Sequence, residues 1–338
     1  MRGRKMLGGR HKMLGIAAAL LALAAGAGAG MAAAQEFAPA VVYDMGGKFD
    51  KSFNEAAYVG AERFKKDTGV AYRDVEVNAE GQREQALRAV ARRGATVVVA
   101  MGFAQAVPLE KVAKEFPNTK FCLIDEKLDR PNVRSMTFKE EEGSFLVGML
   151  AAMASKTGKV GFVGGMDIPL IRNFLTGYEQ GVRHVNGQAE VLVNMTGTTP
   201  AAWNDPARGA ELAKSQFDRG ADVVYAAAGA TGLGVLQAAA DAGRLGIGVD
   251  SNQNHLHPGK VLTSMLKRVD VAVYDCFRSA REGTWTAGHR VLGLREDAVS
   301  YALDQHNRPV VSADMERRVE EARAAIVAGT LPVKPYTP

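Results

Sequence analysis

The sequence is poor in the residues on which several common protein chemistries depend. Only two of its 338 residues are cysteines. No H-E-x-x-H, G-x-S-x-G or Walker pattern is present, and no nucleophile is paired with a base. His255 and His257 lie close together but have no cysteine or further ligand nearby, so we expect no metal site. We therefore expect neither an enzyme nor a bound cofactor.

An excess of one charge is also lacking once the first 34 residues are set aside. The whole chain has 42 lysines and arginines against 37 acidic residues. Five of those basic residues lie within the first 12 positions. Without them the basic and acidic residues are equal in number, so a net positive field for nucleic acid is missing. We expect no nucleic-acid partner.

The first 34 residues have the order of a secretory signal peptide. Basic residues precede an apolar run from Met13 to Ala25, and small residues follow it. The run is shorter than the roughly 20 residues that a membrane-spanning helix needs. We expect residues 1–34 to be a signal peptide that is cleaved after Ala34. Because no cysteine lies at that point, the expected product is a monomeric periplasmic protein without a lipid anchor.

The two cysteines lie in segments that are expected to be buried. Cys122 is within an apolar run, and Cys276 is within a helix-like stretch. This placement favours two buried thiols. A disulfide between them stays possible in an oxidising compartment.

Short β-branched runs alternate with segments of helical periodicity from Pro39 onward, which predicts an α/β fold with parallel sheets. Two such series follow each other, so we expect two Rossmann-like lobes. The first is predicted to comprise residues 35–139 and about 266–285. The second is predicted to comprise residues 140–265 and about 286–338.

Polar residues follow several predicted strands at the ends where ligands collect in open α/β sheets. Asp44 and Asp125 suit this role, although either could simply cap a helix. Phe53 could be a core residue of its helix. Trp203 lies in a polar loop, where an aromatic side chain is harder to explain as core. The candidate binding residues are Asp44, Phe53, Asn54, Asp125, Trp203, Gly229, Asp250 and Lys267.

Several of these residues belong to segments that resemble the basic membrane protein (BMP) family of substrate-binding proteins. The segments are GGKFDKSFNE, LIDEKLDRPNV, EEGSFLVGMLAAM, AAGATGLG, GVDSNQ and VLTSMLKRVDVAVY, and together they span about Val41 to Tyr274. The resemblance implies a type I periplasmic-binding fold with a purine nucleoside in the cleft between the lobes. It also implies a partner, the membrane permease of an ABC importer.

The resemblance further implies roles for the candidate residues. Phe53 and Trp203 would sandwich the base. Asp44, Asn54 and Asp125 would surround the base. The remaining three, Gly229, Asp250 and Lys267, would lie toward the ribose.

Other functions compete with this interpretation. A sugar or a modified nucleoside would suit the same combination of carboxylates and aromatic rings, because a fold does not determine its ligand. A nucleoside hydrolase would need several carboxylates clustered around calcium, whereas these aspartates end different strands. A transcription regulator of the same fold would carry a helix-turn-helix where this chain has its expected signal peptide.

Overall fold

Two six-stranded sheets organise residues 36–338, the part of the chain that the computed structural model describes. The predicted signal peptide, residues 1–34, lies outside these residues. The first sheet has the order β11-β5-β4-β3-β1-β2 and the second has the order β12-β10-β9-β8-β6-β7. The strands are β1 (Pro39–Tyr43), β2 (Arg73–Glu76), β3 (Val97–Ala100), β4 (Lys120–Ile124), β5 (Val133–Phe138), β6 (Lys159–Met166), β7 (Glu190–Gly197), β8 (Val223–Ala227), β9 (Leu245–Asp250), β10 (Val261–Lys267), β11 (Gly288–Leu292) and β12 (Val299–Tyr301).

The helices alternate with the strands, as the periodicity predicts. They are α1 (Phe53–Thr68), α2 (Arg83–Arg92), α3 (Ala106–Glu115), α4 (Glu140–Ala154), α5 (Pro169–Val185), α6 (Pro206–Asp218), α7 (Thr231–Asp241), α8 (Val269–Glu282) and α9 (Ala313–Ala328). The start of α6 shows how the sequence determines a helix boundary. The Asp205 side chain accepts a hydrogen bond from the Arg208 amide, and Pro206 occupies the first turn.

Strand direction brings the candidate residues to two facing edges. Among the described strands, neighbours pair in parallel, except that β12 runs antiparallel to β10. The buried aliphatic side chains of β1, β3, β4 and β8 are inaccessible to solvent or nearly so. The strands therefore form rigid supports, and the loops at their carboxyl ends carry the polar residues.

The chain crosses between the two lobes more than once. After β10 of the second sheet, α8 packs against α1 of the first lobe. The next strand, β11, pairs with β5 over five residues from Gly288 to Leu292, so it belongs to the first sheet rather than to the second lobe predicted for residues beyond about 286. Its residues are mostly exposed, so no apolar alternation marks it as a strand in the sequence. β12 then returns to the second sheet.

Cys122 of β4 and Cys276 of α8 form a disulfide, with 6.5 Å between their Cα atoms. The expectation of two buried thiols was therefore wrong, although both residues are fully buried. The two cysteines are 154 positions apart. They meet because α8 returns to the first sheet, which the local sequence around each cysteine does not reveal.

Within residues 36–338, no helix combines the length and the apolar composition that crossing a membrane requires.

Candidate functional site

A cavity lies between the carboxyl-terminal edges of the two sheets, and all eight candidate residues line it. Its empty volume is roughly 660 Å³ when the solvent at its open side is counted. The first lobe contributes Asp44, Phe53, Asn54 and Asp125, and the second contributes Trp203, Gly229, Asp250 and Lys267. A ligand in this cavity would contact both lobes.

Residues that the sequence reasoning missed also line the cavity. Phe174, Leu170 and Ile171 come from α5, and Asp50 and Gly102 come from loops of the first lobe. The α5 residues follow β6 after a short loop. The rule that ligands bind beyond the carboxyl ends of parallel strands could therefore have identified them. Asp50 stands within the GGKFDKSFNE segment but was not singled out.

The Trp203 side chain lies on the backbone of β6. A Cβ atom added at Gly165 would come 2.5 Å from the indole Cε3 and 2.7 Å from Cη2, and closer still to Cζ3. Real Cβ atoms do not approach other atoms so closely. The six-membered ring of Trp203 therefore rests on Gly165, and only glycine fits beneath it.

Asp44 and Asn54 form a polar end of the cavity. Asn54 lies close to Trp203, because a Cβ added at Gly46 would come 3.7 Å from Asn54 Nδ2 and 4.0 Å from Trp203 Cβ. Arg83, which is buried, donates from Nε to Asp44 Oδ1 at 2.8 Å. Asn54 Nδ2 donates to the backbone oxygens of Asp44 and Gly47 at 3.1 and 3.2 Å. Because only the amide nitrogen can donate to two carbonyl oxygens, the orientation of the Asn54 side chain is determined. Its Oδ1 is buried and accepts no hydrogen bond from the described residues.

Lys267 is the centre of a second, ionic end. Its Nζ lies 2.7 Å from Asp125 Oδ1 and 3.0 Å from Glu140 Oε1, and all three side chains are buried. Three aromatic rings also surround Nζ, with their centroids at 5.0 to 5.5 Å. Burial alone would lower the pKa of Lys267, but Asp125, Glu140 and Asp250 raise it above its usual value.

The carboxylates around Lys267 are buried, although their charged form is more stable in water. Burial raises the pKa of Asp125 and of Glu140, even though the attraction of Lys267 lowers both. Burial likewise raises the pKa of Asp250 to about 6. Burial therefore disfavours the ionised form of these carboxyls, and Lys267 partly offsets that effect.

Two contacts cross the predicted division of the site, whose assignment to base and ribose stays a prediction. Asp125 was assigned to the base side, but the structure pairs it with Lys267, which was assigned to the ribose side. Gly229, also assigned toward the ribose, lies next to Trp203: a Cβ there would come 3.3 Å from the Trp203 oxygen. The cause is that strand order, rather than sequence order, decides which strand ends meet.

Hydrogen bonds join the two lobes beside the cavity. Ser52 Oγ donates to Asp250 Oδ2 at 2.5 Å, and Ser251 Oγ donates to the Ser52 oxygen at 2.8 Å. Gln253 Nε2 donates to the Lys51 oxygen at 3.0 Å. These bonds link the loop before α1 to the loop after β9, so they hold the two lobes together at this edge.

The Asp50 side chain caps α1 immediately below this link. It accepts hydrogen bonds from the backbone amides of Ser52, Asn54 and Glu55 at 2.8 to 3.1 Å. Burial nevertheless raises the pKa of Asp50 to about 7, and the nearby Asp250 adds to the shift. Asp50 thus positions the first turn of α1, which carries Phe53 and Asn54.

The sequence profile of the Bmp family, described as PnrA-like ABC transporter substrate-binding proteins, matches residues 37–334. The chain belongs to this family. A nucleoside-binding protein of an ABC transporter, BmpA of Lactococcus lactis, is 29% identical over 87% of this chain and 88% of its own length. A crystal structure of a solute-binding protein of an ABC transporter from Aeropyrum pernix is 31% identical, covers 87% of this chain and 92% of its own, and superimposes with a TM-score of 0.79.

Membership of the Bmp family confirms several predictions. The fold is of the α/β periplasmic-binding type that the resemblance implied. The chain is a substrate-binding protein of an ABC transporter, so it binds a small ligand and works with a membrane permease. It is not an enzyme, because this family binds substrates for transport.

The predicted localisation, a periplasmic protein without a lipid anchor, is contradicted by other relatives. Three Pyrococcus relatives are named as lipoproteins. That of Pyrococcus horikoshii is 35% identical over 78% of this chain and 68% of its own length. Such names indicate lipid-anchored extracytoplasmic proteins. The prediction had rested on the position of cysteines relative to an expected cleavage site, which is outside the described residues.

Proposed function

We propose that the substrate carried by this protein is a purine nucleoside. The observation that carries the proposal is the division of the cavity into two ends. Two aromatic side chains, Phe53 and Trp203, come from opposite lobes and line it together. The Asn54 side chain lies near Trp203, and a buried lysine with carboxylates lies near Phe53.

Each end suits a different part of a nucleoside. A purine ring gains from stacking on aromatic side chains, and its edge carries hydrogen-bond donors for Asp44 and Asn54. Ribose hydroxyls both donate and accept, so they suit Asp250 and Lys267 together. We assign Asp125 to the Lys267 end as well. The Lactococcus relative named as a nucleoside-binding protein supports the same substrate class.

The charge of the cavity argues against a nucleotide. Asp44, Asp50, Asp125 and Asp250 line it, and Lys267 is the one basic side chain among the described lining residues. A phosphate group would therefore meet acidic side chains, and the lysine is already bound to two of the carboxylates in its surroundings. An uncharged nucleoside avoids that repulsion.

Calorimetric titration with guanosine, inosine, adenosine, cytidine and ribose tests the proposal. We expect the purine nucleosides to bind most tightly and ribose to bind weakly. Trp203→Ala should weaken the binding of purine nucleosides by about 1 to 3 kcal/mol, as the loss of base stacking does elsewhere. Trp285→Phe is the matched control, because Trp285 donates to Cys122 Sγ in the first lobe and is not among the lining residues.

If no nucleoside binds below millimolar concentration while a sugar does, the proposal is wrong and a sugar is the substrate.

A further inference from the structure

The end of the cavity near Trp203 offers acceptors from both of its polar side chains. The Asp44 carboxylate has only acceptor oxygens when ionised. The Asn54 amide donates both of its hydrogens to backbone oxygens, and this leaves Oδ1 as the atom that is still able to bond. A ligand at this end must therefore supply the donors.

Arg83 orients the Asp44 carboxylate. The guanidinium and carboxylate form a buried ion pair, with side-chain exposures of 8% and 14%. Arg83 bonds Oδ1, while Oδ2 lies toward Gly102, where a Cβ would come within 3.2 Å of it. Gly102 lines the cavity and Arg83 does not, so Arg83 acts on the ligand only through Asp44.

We infer that Arg83 is a specificity-determining residue that makes the site select purines with a protonated N1, as in guanosine and inosine, over adenosine. The inference rests on the proposed nucleoside function and adds the class of base. Guanine presents N1–H and an exocyclic amino group side by side, which match the two oxygens of a carboxylate. Adenine presents N1 as an acceptor next to its amino group, and that lone pair would face a carboxylate oxygen.

The size of the preference follows from the cost of an unmatched polar group. Sites built to form a hydrogen bond reject an analogue that lacks the partner more strongly than apolar pockets reject a missing methyl group. A bidentate match to one base edge discriminates by about 10-fold or more against the wrong base. We expect guanosine to bind most tightly, inosine less tightly because it lacks the amino group, and adenosine at least about 10-fold more weakly than guanosine.

Three variants of the full chain separate the contributions. Arg83→Met should weaken guanosine binding and bring the guanosine and adenosine affinities together, because Asp44 is then no longer held with Oδ2 toward the cavity. Arg83→Lys retains the positive charge and should keep most of the preference for guanosine over adenosine that Arg83→Met loses.

Asp44→Asn tests the geometry without a change of shape. Arg83 Nε should still hold the oxygen of the new amide, which places the amide nitrogen where Oδ2 now lies. That nitrogen can donate to adenine N1 but clashes with the guanine N1–H, so the preference should move toward adenosine. Arg92→Met is the matched control, because Arg92 is an exposed residue of the same helix and should leave both affinities unchanged.

Isothermal titration with guanosine, inosine and adenosine gives the result. If wild-type protein binds guanosine and adenosine equally, or if Asp44→Asn leaves the order unchanged, the assignment of Arg83 is wrong while the nucleoside function stands. An equal loss of affinity for both nucleosides in Arg83→Met would show a merely structural role. If none of the nucleosides binds the wild type, it is the proposed function that fails.

Discussion

The contact between Trp203 and Gly165 allows a test of the site in which no proposed binding residue is replaced. Gly165→Ala adds one methyl group beneath the indole. The new Cβ would overlap three ring atoms, with calculated separations of 2.5 and 2.7 Å to two of them. Ordinary contact between two carbon atoms requires roughly 3.5 to 4.0 Å. The ring must therefore move by about 1 Å or more into the cavity, or the β6 backbone must shift.

Either response should weaken nucleoside binding. A ring that moves into the cavity occupies space that the base needs, and overpacking of this kind costs about 1 to 3 kcal/mol. Loss of the stacking surface costs a similar amount in other proteins. If one of these costs appears in the affinity, the dissociation constant rises roughly 5- to 150-fold. The rise should apply to every nucleoside alike, because the stacking surface does not read the base edge.

Titration calorimetry and tryptophan emission together measure this effect. Gly187→Ala is the matched control, since it lies in the same lobe and a Cβ there meets nothing within 4 Å. We expect the Gly165 variant alone to lose affinity and to shift the tryptophan emission of the ligand-free protein. If both the emission and the affinity of Gly165→Ala equal those of the control, the indole does not rest on β6 and the proposed stacking surface is wrong.

Three further expectations concern stability. Lys267→Met leaves Asp125 and Glu140 buried without a counter-ion, so urea unfolding at pH 7 should show a loss of about 3 to 5 kcal/mol in the free energy of unfolding. The loss should be smaller at pH 5, where those carboxyls take up protons. Replacing Cys122 and Cys276 together by alanine should lower the free energy of unfolding by about 2 to 5 kcal/mol, and a reductant should then destabilise only the wild type. Burial raises the pKa of Asp50 from 3.8 to about 7. Between these pH values the native state holds a proton that the unfolded state has released, so the free energy of unfolding should fall as pH rises from about 4 to 7. Asp50→Asn should make this fall in the free energy of unfolding smaller.

The sequence was sufficient to predict eight of the residues that line the cavity, and for those at strand ends the reason is topological. In parallel sheets the carboxyl ends of the strands share one edge, so a residue that follows a strand is placed there whatever its partners are. Asp44, Asp125, Asp250 and Lys267 all line the cavity for this reason. Their roles in binding stay predictions.

The pairwise contacts within the site could not be predicted in the same way. Arg83 begins a helix that has no distinctive sequence feature, and nothing near it indicates an ion pair with a residue 39 positions earlier. Glu140 reads as one of three acidic residues in the first turn of α4, where a favourable interaction with the helix dipole is a sufficient explanation. Its contact with Lys267 depends on how α4 packs against β10, and that packing has no local signal.

The same limit explains the errors at the carboxyl-terminal end of the chain. β11 is an edge strand with little apolar character, so its pairing with β5 depends on backbone hydrogen bonds that any sequence can form. The disulfide follows from the return of α8 to the first sheet. Both features are consequences of chain crossings between the lobes, and crossings are decided by the packing of whole elements.

The distribution of the site between the lobes bears on transport. A ligand shifts an equilibrium between open and closed lobes only by the difference in its affinity for the two forms. Phe53 and Trp203 belong to opposite lobes, so a purine ring contacts both aromatic side chains only when the lobes are closed. The bond between Ser52 and Asp250 joins the same lobes without a ligand, so part of the free energy of closure is independent of substrate. On the proposed function, the remainder comes from the base and the ribose, and a permease that recognises the closed form would thereby distinguish loaded protein from empty protein.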